Sequence, residues 1–313
     1  MTDIAATDAV AGRAGYLVGV DIGGTKIEAV LIGPDGRVVA SRRVPARRGG
    51  DNVLDDVASL VRGVAGDRFA DVAHVGIGTP GRVDAATGRI ANVVNLDIDE
   101  LDLGSLVSGR LGGIPVHVDN DVNAAAVGAA RVLCGDDLSG TVAFLNFGTG
   151  LAAGVLVDGV LQHGYSGAAG EVGHVPVDPN RFDCPCGQRG CLETVCSGAS
   201  VARLWPTADG RPPMPDLIAA TRRGDGEARR VLAMVTHAIG DTLQIVAQSV
   251  DPRLIVIGGG MAKTGGPLLE VILDELHARE SACPFLKGLD LGARLRLAPV
   301  DAPVGAIGAA WAS

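Results

Sequence analysis

A chain of 313 residues exceeds one ordinary hydrophobic core and suits two domains of roughly 100 to 200 residues each, with the cleft between them as the natural place for a site. Hydrophobic residues at 47% and charged residues at 20% supply packed cores and exclude a disordered chain beyond the short N-terminal stretch. A net charge of -9 and 3% aromatics leave little to neutralise a phosphate backbone or stack on bases, so no nucleic-acid partner is expected.

Residues 1–15 are small and polar, carry Asp3 and Asp8, and lack the basic flank and apolar run of a signal peptide; they read as a flexible extension. The pattern then predicts an antiparallel meander: a strand over 16–21, the turn Gly23-Gly24, a strand over 27–32, the turn Gly33 to Gly36, and a strand over 37–44. A helix over 53–64 and strands over 72–77 and 116–118 complete a small α/β domain, 16–118. A second strand, glycine turn, strand cycle begins about 125 residues after the first, with strands over 142–147 and 152–157 around Gly148-Thr149-Gly150. It opens a larger α/β domain, 119–303. There Val231, Val235, Ile239, Leu243 and Val246 recur at helical spacing, a buried strand over 254–257 runs into Gly258-Gly259-Gly260, and a helix covers 267–280. The last segment, 304–313, is a small-residue helix expected to pack back on the first domain. Apolar stretches are interrupted before the roughly 18 residues of a membrane span, so a cytoplasmic protein with no membrane partner is expected.

Chemistry is concentrated in four places. Asp21-Ile22-Gly23-Gly24-Thr25-Lys26 follows a strand; its glycines let backbone N–H groups approach an anion, while Thr25 and Lys26 add donors. Any hairpin can hold two glycines, but a second such turn, Gly148-Thr149-Gly150, suits a grip on one polyphosphate by two loops. Asp119-Asn120-Asp121-Val122-Asn123 ends a strand and opens a helix over 124–133. One of these residues is accounted for as an N-cap, but four polar side chains in five positions at a strand end suit a ligand site, with a carboxylate to take a hydroxyl proton. Last, Gly170-Glu171-Val172-Gly173-His174 precedes Cys184-Pro185-Cys186 and Gly190-Cys191-Leu192-Glu193. Three thiolates and one imidazole make a closed Cys₃His zinc set with no open position, hence a structural metal and not a hydrolase centre; buried or redox-active cysteines are the alternative. Cys134, Cys196 and Cys283 read as core or incidental thiols. Gly78 in Gly78-Thr79-Pro80-Gly81, Asn95 in 91–96 and the run Gly258 to Gly260 mean little singly.

Together these stretches resemble the ROK family of sugar kinases, from Tyr16 to Trp311, and most specifically at Gly170 to His174 with Cys184 to Glu193. The resemblance implies two actin-like (ribonuclease H-like) α/β domains with an interdomain cleft, as in the hexokinase and actin superfamily. It implies a first phosphate loop at Asp21, Gly23, Gly24, Thr25 and Lys26, a second at Gly148, Thr149 and Gly150, and an adenosine loop at Gly258, Gly259 and Gly260. Gly78, Asn95, Asn120, Asp121, Glu171, His174 and Glu193 would bind the sugar, with Asp121 the catalytic base, and His174, Cys184, Cys186 and Cys191 would hold Zn²⁺. ATP with Mg²⁺ is the implied donor, because polyphosphate-dependent relatives generally lack the zinc motif, and Asp21 would help order the Mg²⁺ or its waters. Glucose, phosphorylated at its 6-hydroxyl, is the expected acceptor. N-acetylmannosamine, N-acetylglucosamine, kanosamine or fructose are the alternatives, since Leu192 and Thr194-Val195-Cys196 stand where familiar glucokinases often carry an aromatic residue and an alanine- or serine-containing helix start. A non-catalytic sugar sensor is the alternative from another class. The family's repressors carry a DNA-binding domain ahead of the kinase body, for which residues 1–15 are too short, and homodimers or higher homo-oligomers are usual among such relatives. Zinc is expected to act through the sugar-binding segment alone, with the phosphate loops lying elsewhere.

Overall fold

The computed structural model describes residues 15–312; the extension expected over residues 1–15 lies, but for Gly15, outside them. Alternating and continuous apolar runs build the first sheet. Strands β1 (Tyr16–Ile22), β2 (Lys26–Ile32) and β3 (Val38–Pro45) form the expected meander. Helix α1 (Gly50–Ala65) buries Val53, Leu54, Val57, Leu60, Val61 and Val64, the three- and four-residue spacing of one helical face. The chain returns through β4 (Val72–Thr79). A small antiparallel sheet of β5 (Arg82–Asp84), β6 (Arg89–Val93) and β7 (Ile98–Leu101) follows, then α2 (Leu103–Arg110), β8 (Val116–Asn120) and α3 (Asp121–Cys134). The main sheet has the order β3-β2-β1-β4-β8, with β1, β4 and β8 parallel.

The second sheet repeats this plan. Strands β9 (Thr141–Phe147), β10 (Leu151–Val157) and β11 (Val160–Leu161) form a meander. Helices α4 (Glu193–Cys196), α5 (Gly198–Leu204), α6 (Pro213–Arg222) and α7 (Gly226–Val250) follow. Then come β12 (Leu254–Gly258), α8 (Gly259–Ala262), α9 (Gly266–Ala282), α10 (Pro284–Leu289), α11 (Leu291–Arg294) and β13 (Leu295–Leu297). The order is β11-β10-β9-β12-β13, again with the last three strands parallel. Helix α7 starts where the Asp225 carboxylate accepts from the N–H groups of Glu227 and Ala228, and its apolar face, including Val231, Val235, Ile239 and Leu243, is core. Among the described residues no helix is long and apolar enough to cross a membrane.

The chain ends in α12 (Val304–Trp311), which belongs to the first unit. Gly19 of β1 and Gly76 of β4 are register partners, and a Cβ on either would overlap the carbonyl oxygen of Ala306 or Ala309. The helix backbone therefore rests directly on the sheet, which only small residues on both sides permit. The first unit runs to Ala124 and resumes at Gly305; the second is Ala125–Val304. The division falls after Ala124 rather than after Val118, because α3 begins at Asp121 instead of Ala124 and its first turn packs on β4. The segment 91–96, whose two amides read as a loop in the sequence, is instead half strand, the end of β6, and half a short 3-10 turn over 94–96.

Candidate active site

In the first unit, Asp21 lies near the end of β1, beside Gly78 of β4 and Glu28 of β2. Gly78 has a packing duty: a Cβ there would stand 2.9 Å from that of Ala124 and 3.6 Å from the Asp121 Cα, so the glycine seats the first turn of α3. Gly24 lies against the Asn95 side chain, which brings the first glycine turn and that amide together. Lys26 is engaged by Glu28, Nζ to Oε2 at 3.1 Å, and Arg43 holds the other oxygen at 2.7 Å. Thr25 is exposed beside it.

The polar block at the end of β8 divides its labour. Buried Asp119 accepts from the Asn120 N–H at 2.7 Å and from the Asn123 side-chain amide at 2.9 Å. Asn120 Oδ1 accepts from the Val122 N–H at 2.9 Å and so caps α3, while its Nδ2 reaches the Gly81 carbonyl at 3.4 Å. Asp121 Oδ1 shares the Val122 N–H at 2.9 Å, and the Asp121 backbone N–H also favours the charged carboxylate. Burial pushes the Asp21 carboxyl from the ordinary 3.8 up to about 7, with the Asp121 charge adding to the rise, Lys26 opposing it and Glu28 adding to it. Burial also raises Asp121, against nearby backbone N–H groups that favour its charged form.

In the second unit, the segment 170–174 lies on the backbone of β10, because a Cβ on Gly170 or Gly173 would overlap the carbonyl of Ala153 or Leu151. His174 Nδ1 is 3.7 Å from Cys184 Sγ, and Cys186 Sγ is 3.7 Å from Cys191 Sγ; all four donor atoms lie within 4.8 Å of one another. A tetrahedral zinc with sulfur at about 2.3 Å has sulfur–sulfur edges near 3.8 Å, so this set fits the ion. The chain wraps the position through a turn in which the Cys184 N–H donates to the Gln188 carbonyl, and the Gln188 amide faces Cys186 and Cys191 at 3.5 and 3.8 Å. Gln188 N–H groups pull the Cys186 thiol down to about 6, whereas burial and the neighbouring sulfurs push Cys191 up to about 12. With Nδ1 turned to the sulfurs, His174 Nε2 points the other way, 3.9 Å from Glu171 Oε2.

Glu193, two residues after the last cysteine, accepts from the Leu151 N–H at 3.0 Å and fills the space beside Gly150. The Gly198 N–H donates to the Gly148 carbonyl at 2.7 Å. The second glycine turn is therefore tied at both ends to the chain that leaves the cysteine cluster. This corrects the expectation that zinc and the second phosphate loop are separate. Gly258 to Gly260 do not act alike either: Gly258 ends β12 under the Phe144 ring, Gly259 turns the chain at φ 78° against Phe147 and Asn146, and Gly260 faces open space in α8.

Two residues in this arrangement, Glu28 and Asn146, were not singled out in the sequence. Asn146 had a signal: it is the one strongly polar residue in the apolar strand β9, and it stands to Gly258 of β12 as Asp21 stands to Gly78 of β4.

The chain is similar to known proteins over nearly its whole length. The ROK family model matches residues 17–311. The chain is 31% identical to the glucokinase of Halalkalibacterium halodurans, over 95% of this chain and 94% of that one. Among solved structures, the ROK hexokinase from Thermus thermophilus superposes with a TM-score of 0.77 at 29% identity, covering 94% of this chain and 96% of that one. A ROK family glucokinase from Streptomyces griseus, solved in complex with glucose and AMPPNP, gives 0.73 at 30% identity, covering 95% and 98%.

Proposed function

The chain belongs to the ROK family, and from that premise we propose that it is an ATP-dependent sugar kinase, passing the γ-phosphoryl group of ATP to the 6-hydroxyl of glucose. The observation that carries this is Asp121. Its carboxylate opens a helix, is held by backbone N–H groups of that first turn, and has its proton affinity raised by burial. A base so tuned accepts the hydroxyl proton as the oxygen attacks phosphorus.

The remaining assignments are of the same kind. Asn95, Asn120, Glu171, His174 and Glu193 hydrogen-bond ring hydroxyls; His174 does so through Nε2. Gly78 acts through its seat for Asp121. Gly23 and Gly24, with Thr25 and Lys26, and Gly148 to Gly150 offer backbone and side-chain donors to phosphates, and Gly259 with Gly260 leaves room for the adenosine. Most of the catalysis is alignment and charge neutralisation, with the base contributing ~10²–10⁴.

Two ions suit the donor sets. Asp21, an oxygen ligand beside a phosphate turn, fits Mg²⁺, which supplies charge neutralisation on the phosphates when bound. His174, Cys184, Cys186 and Cys191 would hold a structural Zn²⁺, whose part is to fix the segment carrying Glu171, His174 and Glu193.

The test is a coupled ADP-release assay over glucose, fructose, kanosamine, N-acetylglucosamine and N-acetylmannosamine. Glucose is expected to give the highest kcat/KM, and Asp121→Asn to lower kcat at least ~10²-fold with glucose affinity kept. Hexose binding without any ADP release would make the protein a sugar sensor instead, and near-normal turnover in Asp121→Asn would remove Asp121 as the base.

A further inference from the structure

The two sheets are built alike, so a position that faces a ligand in one has a counterpart in the other. Asp21 of β1 pairs with Gly78 of β4; the matching pair in the second sheet is Asn146 of β9 with Gly258 of β12. Both polar residues stand one place before the end of an otherwise apolar strand that runs into a glycine turn. We propose that Asn146 contacts a phosphate of the bound nucleotide through its side-chain amide, and that the site requires this residue to be uncharged.

Three observations within the second unit carry the inference. First, the Asn146 amide lies between two glycine turns: a Cβ on Gly148 would be 3.2 Å from its Nδ2, and one on Gly259 2.6 Å from its Oδ1. Among the nearest atoms of the described residues, Asn146 is the side chain shared by both turns. Second, among the described residues nothing hydrogen-bonds the amide, although it is half-buried at the end of a strand. A half-buried amide without a protein partner is a donor held ready for something else. Third, the donors around it are backbone N–H groups. The Gly148 N–H is used by the Gly150 carbonyl at 3.1 Å, so that turn spends one donor on itself, and the Nδ2 of Asn146 supplies one in its place.

The chemistry explains why the residue is an amide and not the acid found at the matching position of β1. A carboxylate between these turns would offer only acceptors and a negative charge to an anionic ligand, and would repel what the turns are shaped to receive. The amide keeps the same shape and presents a donor. The Gly259 position leaves room for Oδ1, and Nδ2 lies on the Gly148 side, 3.2 Å from where a Cβ would stand there.

The inference rests on the kinase reading, and the experiment separates the two. ATP, adenosine and glucose are titrated in the presence of Mg²⁺ against the full-length protein and its Asn146→Asp and Asn146→Ala variants. ATP affinity is expected to fall about tenfold in Asn146→Ala, for one lost hydrogen bond to a charged group, and about a hundredfold in the isosteric Asn146→Asp, where repulsion is added. Adenosine and glucose affinities should stay within about twofold, which a collapsed turn or an unfolded protein would not allow. Unchanged ATP affinity in Asn146→Asp overturns the inference, as does an adenosine loss equal to the ATP loss, because the residue would then hold the loop and not the phosphate. If the unaltered protein binds no ATP, the kinase reading falls and this inference falls with it.

Discussion

Replacing Asp21 with Asn should make the protein more stable while removing its use to a nucleotide. Asp21 is half-buried beside Gly305 at the start of α12, and no protein donor among the described residues reaches its carboxylate. Its pKa therefore rises from 3.8 to about 7, burial being the largest cause and the Asp121 charge the next. Below pH ~4 the group is protonated in both folded and unfolded chains, and the substitution is close to neutral. Between pH ~4 and ~7 the unfolded chain gives up its proton while the folded protein keeps it, so the unaltered protein loses stability as pH rises. Above pH ~7 the penalty is fully developed. A shift of this size corresponds to at most about 4 kcal/mol, and roughly 2 to 4 kcal/mol is expected once Lys26 and water adjust. Urea unfolding of both proteins at pH 5, 6, 7 and 8, without nucleotide or divalent ion, measures the difference directly. Asp21→Asn should be least stabilising at the lowest pH, where about 1 to 2 kcal/mol of the penalty is already present, and most stabilising at the highest. A stability difference that is absent, or that does not grow with pH, would refute the argument that burial holds this carboxyl protonated. Turnover with Mg²⁺ and ATP should be lost in the same variant, the usual cost of keeping an acid where a cation is to be held.

Two further outcomes follow from contacts already described. Cys184→Ser or Cys191→Ser should release zinc, measured by metal content, and should weaken hexose and ATP binding together, since Glu193 and Gly198 tie the cysteine segment to the turn Gly148 to Gly150; titrations in which ATP affinity stayed intact would show that the tie does not transmit the loss. Gly76→Ala should push α12 off the first sheet, because its Cβ would overlap the Ala309 carbonyl, and should cost about 1 to 3 kcal/mol or more by thermal or urea unfolding; a variant with an unshifted midpoint would mean that the helix does not rest on the sheet.

Much of this protein is local in origin and for that reason legible in its sequence. The apolar runs that become β1, β2, β9 and β10, the glycine turns after β1 and β9, and the periodic face of α7 are patterns within windows of ten or twenty residues, and backbone geometry alone ties them to strand, turn and helix. The meeting of His174 with the three cysteines was equally legible, because their close spacing in the chain keeps the donor atoms near one another. What depended on register was not. Strands β5, β6 and β7 are short, and their stability comes from partners across loops, so Asn95 was visible as an amide but not as the wall against Gly24. The same limit hid the meaning of several glycines: Gly19 and Gly76 are small because a helix some 230 residues or more farther along the chain lies on them, and Gly78 is small because α3 turns there. Asn146 and Glu193 acquired their places only when β9 met β12 and when the chain leaving the cysteines came back to β10. Sequence pattern specifies which face of each element is apolar; which faces meet, and so which polar side chains arrive at one point, is decided by long-range packing that no local window contains.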